Sequence, residues 1–195
     1  MILDATMEDK REKWVIDMAH SELSFKVKHL MIAYVKGSFR SFDASIYTTG
    51  KDFSSAEIDI WIDPASISTG DEKRDEHLKG PDFFDVLNHP QIAFTSETIG
   101  EADSNGNHEL WGELRMKGIK KNLKLNVQFG GIMMDPWNNE KAGFTVTGVI
   151  KRSEWGLTWN TAIEAGGILV SEEVKISCEI ELTRVNQKDL SMVLE

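Results

Sequence analysis

The chain has 195 residues, with 22 Lys and Arg against 32 Asp and Glu, a formal charge of −10 at pH 7. That balance excludes nucleic acid as the main partner, because phosphate binding calls for a basic surface, and the 41% hydrophobic share with 28% charged residues excludes disorder, collagen and coiled coil. One cysteine, Cys178, excludes an intrachain disulfide and a zinc cluster, and the longest apolar run, Leu30 to Val35, is too short to cross a bilayer, so no transmembrane segment is expected.

Residues 1–13 are charged around a brief Ile2-Leu3 pair and lack a signal-peptide core, so they are expected to form a tail on a chain that stays in the cytoplasm. A strand is expected at Trp14 to Ile16, and a second where Leu23, Phe25 and Val27 alternate with Ser24, Lys26 and Lys28. From Val35 to Ile46 the apolar parity switches between Phe39 and Phe42, which predicts one strand with a bulge near Arg40-Ser41. Ile58, Ile60 and Ile62 form the next dry face, with Trp61 on the wet one.

Thr69-Gly70-Asp71-Glu72 has the spacing of a capping box, and Lys79-Gly80-Pro81 supplies a basic last turn and a stop, so one helix is predicted between them. Pro81 to Leu87 reads as a second brief helix whose adjacent Phe83 and Phe84 need a dry surface. Strands resume at Ile92 and Phe94, at Leu110 to Met116, at Leu123 to Phe129, at Phe144 to Ile150 and at Val174 to Leu182, with turn signals at Ser104 to Asn107, Lys117-Gly118, Asp135 to Asn139 and Gly166-Gly167. The pattern gives eight or nine strands in one domain, 14–185, with 186–195 as a C-terminal tail.

Strands dry on one face must bring those faces together, as a sandwich or a closed barrel. An eight-stranded antiparallel barrel has an interior that is either filled by side chains or holds one elongated ligand. Gly37, Ala44, Gly112 and Gly148 fall on the inward parity, where they either leave space or let the sheet coil tightly. The chemistry-bearing residues give no positive sign of an enzyme. His20, His29, His77, His89 and His108 show no metal-motif spacing, Cys178 reads as a small apolar core residue, and the acidic group Asp71, Glu72, Asp75 and Glu76 reads as a solvated helix face. Trp61 and Trp111, flanked by carboxylates on the wet parity, point to a face covered by the helix or to a dimer contact.

A longer series of residues carries a resemblance. Trp14, Asp17, His20-Ser21, Phe25, His29-Leu30 and Val35-x-Gly37-x-Phe39 open it. Ser68-x-Gly70, Arg74-Asp75-x-x-Leu78, Phe83-Phe84-Asp85, Pro90-x-Ile92-x-Phe94-x-Ser96, Gly112-x-Leu114 and Gly118 continue it, and Arg152 with Trp155-Gly156-Leu157 closes it, Trp155 standing where a Phe is usual. This series resembles the YceI-like, polyisoprenoid-binding family over about residues 14 to 185.

The resemblance implies an all-β, lipocalin-like, up-and-down barrel of eight strands with a helical insertion around residues 70–88. It also implies frequent dimerisation and a long isoprenoid chain, quinone or polyprenyl, in the lumen, with no cofactor required. Phe25, Val27, Phe39, Phe42, Ile60, Phe94, Leu114, Phe144 and Ile176 are then the expected ligand wall, although the same residues form an ordinary core if the lumen is packed. Phe83 and Phe84 would close one end. His29, Arg74 and Arg152 would donate to a polar head group, with a purely structural role for Arg74 and a turn cap at His20-Ser21 as the other reading.

Three functions remain open at this stage: a lipid carrier with a continuous dry tunnel, an enzyme acting on such a lipid through His29, His89 or Asp85, and a stress-related interaction scaffold with a packed lumen that meets its partner through Trp61 and Trp111. Unaided docking on an anionic membrane is disfavoured by the charge of −10, so delivery of a lipid calls for a protein partner or for a basic patch that the linear sequence does not locate.

Overall fold

The computed structural model describes residues 11–161 and 169–185. The expected Gly166-Gly167 turn and most of both tails lie outside the described residues. Eleven strands form: β1 Arg11–Ile16, β2 Glu22–His29, β3 Ala33–Phe39, β4 Phe42–Thr49, β5 Asp52–Ile62 and β6 Ile67–Ser68, then β7 Ile92–Ile99, β8 Asn107–Met116, β9 Ile119–Met134, β10 Glu140–Lys151 and β11 Val170–Arg184. The helix α1, Glu72–Lys79, lies between β6 and β7. Strand β1 opens at Arg11, so the barrel starts inside the stretch expected to be tail.

All pairings are antiparallel, and β1, β4, β5, β7, β8, β9, β10 and β11 close into a ring through the β1–β11 pair. The remaining strands complete broken staves of the same eight-stranded barrel. β11 pairs with β1 near Leu182 and with β2 from Glu179 to Val170, so β1 and β2 are two pieces of one stave. Likewise β4 pairs with β5 at Phe42–Ile62 while β3 pairs with β6 at Phe39–Ile67.

The break at Arg40-Ser41 is therefore a gap between two strands with different partners, which corrects the expected bulge. Its cause is local. Ser66 Oγ accepts the backbone N–H of Arg40 at 3.1 Å and of Ser41 at 3.0 Å, and Asp63 N–H donates to the Ser41 carbonyl at 2.9 Å, so the neighbouring break at Pro64–Ser66 satisfies the groups freed here.

Helix α1 also differs from expectation at its start. Asp71 is the cap, its carboxylate accepting Arg74 N–H at 2.9 Å, while Thr69 donates its hydroxyl to Asp75 at 2.6 Å. The stretch after Gly80 is a run of turns in place of the expected second helix: Phe83 and Asp85 N–H both return to the Gly80 carbonyl, and Asp85 takes a left-handed φ of 48°. Phe83 and Phe84 do find the dry surface they need, buried against Ile67, Trp155 and Leu157 in one core cluster.

That cluster runs from the helix end along the barrel wall as far as Leu110 and Leu125; a second, around Trp14, Ile46, Ala142 and Leu182, holds the opposite end. Trp61 and Trp111 stay on the outer face, 39% and 41% exposed, while α1 packs elsewhere, on β6 and through Leu78 on the core.

Candidate functional site

Inside the wall that these clusters form, the barrel is hollow. A cavity of about 490 Å³ runs along the lumen from Phe83, Phe84 and Leu157 at the helix end to Phe53, Phe129 and His108 at the other. Its wall is the inward parity of the strands, as alternation dictates. Side chains such as Phe25, Val27, Ile60, Val127 and Ile176 point inward yet keep accessible surface, because their neighbour across the barrel is space and not another side chain.

The inward glycines explain how the wall stays thin. Phe25 pairs directly with Gly37, and its ring lies on the glycine so closely that a Cβ there would overlap Phe25 Cζ. The Phe94 ring occupies the same position over Gly112, and a Cβ on Gly148 would stand 2.5 Å from Leu125 Cδ2. These glycines seat large side chains flat against the wall and so keep them out of the lumen.

Most of the residues expected to meet ligand are brought together. Phe25, Val27, Phe39, Ile60, Phe94, Leu114, Phe144 and Ile176 line the cavity, with Phe83 and Phe84 at its closed end. Phe42, although buried, stands at the stave break and is absent from the cavity wall. His29 ends β2 against Ala33 and also lies off the wall. Arg74 is exposed and ties helix α1 to the chain before it, Nε donating to Thr69 Oγ1 at 2.7 Å and an Nη to the Thr69 carbonyl at 2.9 Å.

Arg152 reaches the cavity wall, 4% exposed, but most of its fork of donors is already engaged. Nε donates to the Ser171 carbonyl at 2.9 Å, Nη1 to the carbonyls of Leu157 at 2.5 Å and Trp159 at 2.8 Å, and Nη2 to that of Val170 at 3.4 Å. Burial holds its pKa below the ordinary value, with Glu172 opposing. The guanidinium thus binds the 3-10 turn Arg152–Trp155 and the chain beyond it to the start of β11, a structural role where a head-group donor was expected.

Cys178 faces the lumen, and burial pushes its thiol up to about 11, which suits a core residue and not a nucleophile. His89 and Asp85 lie off the cavity wall, and both Asp85 oxygens accept from Asn88 at 3.0 Å. Asp17, His20 and Glu181 converge as metal ligands would, but Lys141 Nζ sits among them, 2.5 Å from Asp17 and 3.2 Å from Glu181, and supplies the positive charge itself.

The sequence reading missed Phe53. It forms an aromatic group with Trp14, Phe129 and Phe144, at centroid separations of 5.0, 5.7 and 4.9 Å, around the end opposite the helix. The register of β4 on β5 shifts between Tyr47 and Thr49, so Phe53 falls outside the parity of Ile58, Ile60 and Ile62. Lys51, Asp52, Ser54 and His108 give this end of the wall its polar groups.

Comparison with known proteins agrees with this geometry. A UPF0312 protein of Staphylococcus aureus strain USA300 is 36% identical over 171 residues, 87% of this chain and 96% of the relative. The YCEI protein of Campylobacter jejuni has a crystal structure that is 31% identical, with a TM-score of 0.68 over 88% of this chain and 97% of that one. A polyisoprenoid binding domain from Saccharophagus degradans shares the fold at 16% identity, with a TM-score of 0.61 over 87% of this chain and 97% of that domain. The YceI-like domain model matches residues 14–182, and with the relatives above it places this chain in the YceI-like family.

Proposed function

We propose that the barrel binds a long apolar chain of the isoprenoid class in its lumen and acts as a carrier or store for it. The observation that carries this reading is the hollow, almost wholly apolar interior of about 490 Å³, a volume in the range of small-molecule sites. Water in such a space lacks hydrogen-bond partners, whereas a hydrocarbon tail gains roughly 0.8 kcal/mol for each CH₂-sized unit removed from water. Phe25, Val27, Phe39, Ile60, Phe94, Leu114, Phe144 and Ile176 then hold the tail, and Phe83 and Phe84 stop it at the helix end.

The polar head of the ligand, quinone or polyprenyl, belongs at the opposite end, where Asp52, Ser54 and His108 stand beside the lumen. The likeness to the polyisoprenoid binding domain of Saccharophagus degradans supports the ligand class, and the hollow interior favours binding over the packed-lumen scaffold. We read the protein as a binding protein and not as an enzyme, since His29, His89 and Asp85 stand away from the cavity wall.

Native mass spectrometry of detergent-free protein, with organic extraction of what it releases, tests the reading. An isoprenoid at near one per chain is expected, and an Ile176→Trp variant, which places an indole in the lumen, is expected to lose it while remaining folded. A wild-type chain that neither carries nor takes up quinones or polyprenyl phosphates overturns the proposal.

A further inference from the structure

On the outer face of β3, β2 and β11 the half toward the β2–β3 hairpin is rich in lysine, while Glu22, Glu179 and Glu181 stand at the other end of the same face. Register places Lys26 directly opposite Lys36 on β3 and opposite Lys175 on β11. Like charges in one cross-strand row repel, so a counter-charge laid on this row is favoured. The lysine ion pairs among the described residues are made elsewhere, by Lys51, Lys79, Lys120, Lys124 and Lys141. Tyr34, opposite Lys28, gathers the ammonium groups of Lys26, Lys28 and Lys175 at 5.4, 5.8 and 5.6 Å from its ring centroid.

The row runs on into an open groove over β9 and β10, where Lys124 and Lys151 join Lys26 and Lys175, with Glu154 on the groove wall. Glu173 opposes Lys151, and Glu109 pairs with Lys124 at 2.7 Å, so the net positive charge is concentrated at Lys26, Lys28, Lys36 and Lys175.

At the end of this face the β2–β3 hairpin turns through Leu30 and Met31, both left-handed, with φ of 51° and 61°. Asn-Gly relaxes such a turn, and bulky residues strain it. The chain nevertheless presents large apolar groups here: Met31 is 50% exposed and Ile32 85%. The tip follows the His29–Ala33 pair, one step beyond Lys28–Tyr34, so the apolar tip and the lysines belong to one surface.

We propose that this face docks on an anionic lipid bilayer, with Met31 and Ile32 entering the interface and Lys26, Lys28, Lys36 and Lys175 lying on the phosphates. Lysine rows alone fit any polyanion, but an exposed Ile beside them fits only a surface with an apolar layer beneath its charge. Salt screens the attraction between the lysines and the lipid phosphates, so docking weakens as salt rises. The inference stands on the outer face alone, so an empty lumen leaves it untouched.

Flotation with phosphatidylcholine vesicles, with and without phosphatidylglycerol, tests it. The chain is expected to float only with the anionic vesicles. Lys26→Gln, Lys36→Gln and Lys175→Gln together are expected to weaken partitioning by roughly a hundredfold, and Ile32→Ser alone by roughly tenfold. These outward-facing substitutions are expected not to lower the wild-type unfolding midpoint. Failure to float, equal flotation with neutral vesicles, or binding to vesicles and single-stranded DNA alike that ignores Ile32→Ser each overturns the proposal, the last by marking a general polyanion site.

Discussion

The two ends of the barrel are held by different kinds of bond. At the helix end the buried polar groups meet neutral backbone: Trp155 Nε1 donates to the Leu114 carbonyl at 3.0 Å, and Arg152 donates to carbonyls before and within β11. At the opposite end Trp14 Nε1 donates to Thr48 Oγ1 at 3.0 Å, and around this neutral pair stands a group of partly buried charges. Lys141 bridges Asp17 and Glu181, and Glu140, 6% exposed at its side chain, receives Lys51 and Arg184. One end is therefore closed by a peg whose loss leaves carbonyls unpaired, and the other by pairs that acid can dismantle.

The sharpest break of that contrast is Arg152→Met. It fills similar space but leaves the carbonyls of Leu157, Trp159 and Ser171 without their donor, and unmet buried groups cost about 1–3 kcal/mol each. A loss of several kcal/mol is expected in urea unfolding, and Arg152→Lys should not restore it, because one ammonium cannot reproduce the planar fork. A loss within the range of an ordinary surface substitution would show that the helix end does not depend on this peg.

Acid should act on the other end. The Lys141 hydrogen bond, with smaller help from His20 and Ala19, outweighs the burial of Asp17 and holds its carboxyl down to about 2, from 3.8. A depressed carboxyl stabilises the fold fully above its unfolded pKa and loses that contribution as pH falls through its folded one. The window here runs from about pH 4 down to about 2, and linkage puts the contribution at about 2 kcal/mol. Lys141→Met should remove it at pH 7 and flatten the stability profile below pH 4. Burial opposes the charge of Lys141, but its bonds to Asp17 and Glu181 raise its pKa on balance, a second view of the same contact and no additional energy.

Alternation made most of this architecture legible. Period two gave the dry faces and left a sandwich or a closed barrel, the family resemblance pointed to the barrel, and the two together gave most of the wall, including Phe25, Ile60, Phe94 and Ile176. What failed has one physical origin: information held between strands and not along them. Phe42 obeys the parity but sits at a stave break whose partner, Ser66, is distant in sequence. Phe53 disobeys the parity because of a register shift. Arg152 carries the charge of a head-group donor, but the carbonyls that occupy it come from the start of β11 and from the chain that follows its own turn. The lysine row is invisible for the same reason, since Lys26, Lys36 and Lys175 are neighbours only through cross-strand register.

Two glycines carry the comparison down to a single methyl group. Gly37, packed with Phe25 beside the helix-end cluster, has no room for a Cβ, whereas Gly143, beside Ala142 and Phe144 at the opposite end, would meet nothing within 4 Å. Gly37→Ala must turn the Phe25 ring off the wall, into the very space proposed for the lipid, and overpacking of this kind costs about 1 kcal/mol. Gly143→Ala adds a side chain in open space and restricts the unfolded chain, so it should leave stability unchanged or raise it by a few tenths of a kcal/mol. Urea midpoints together with lipid uptake measure both effects: Gly37→Ala should lower both readings and Gly143→Ala neither. Equal uptake by the two variants would mean that Phe25 swings without narrowing the path, and that the glycines serve the curvature of the sheet more than the width of its lumen.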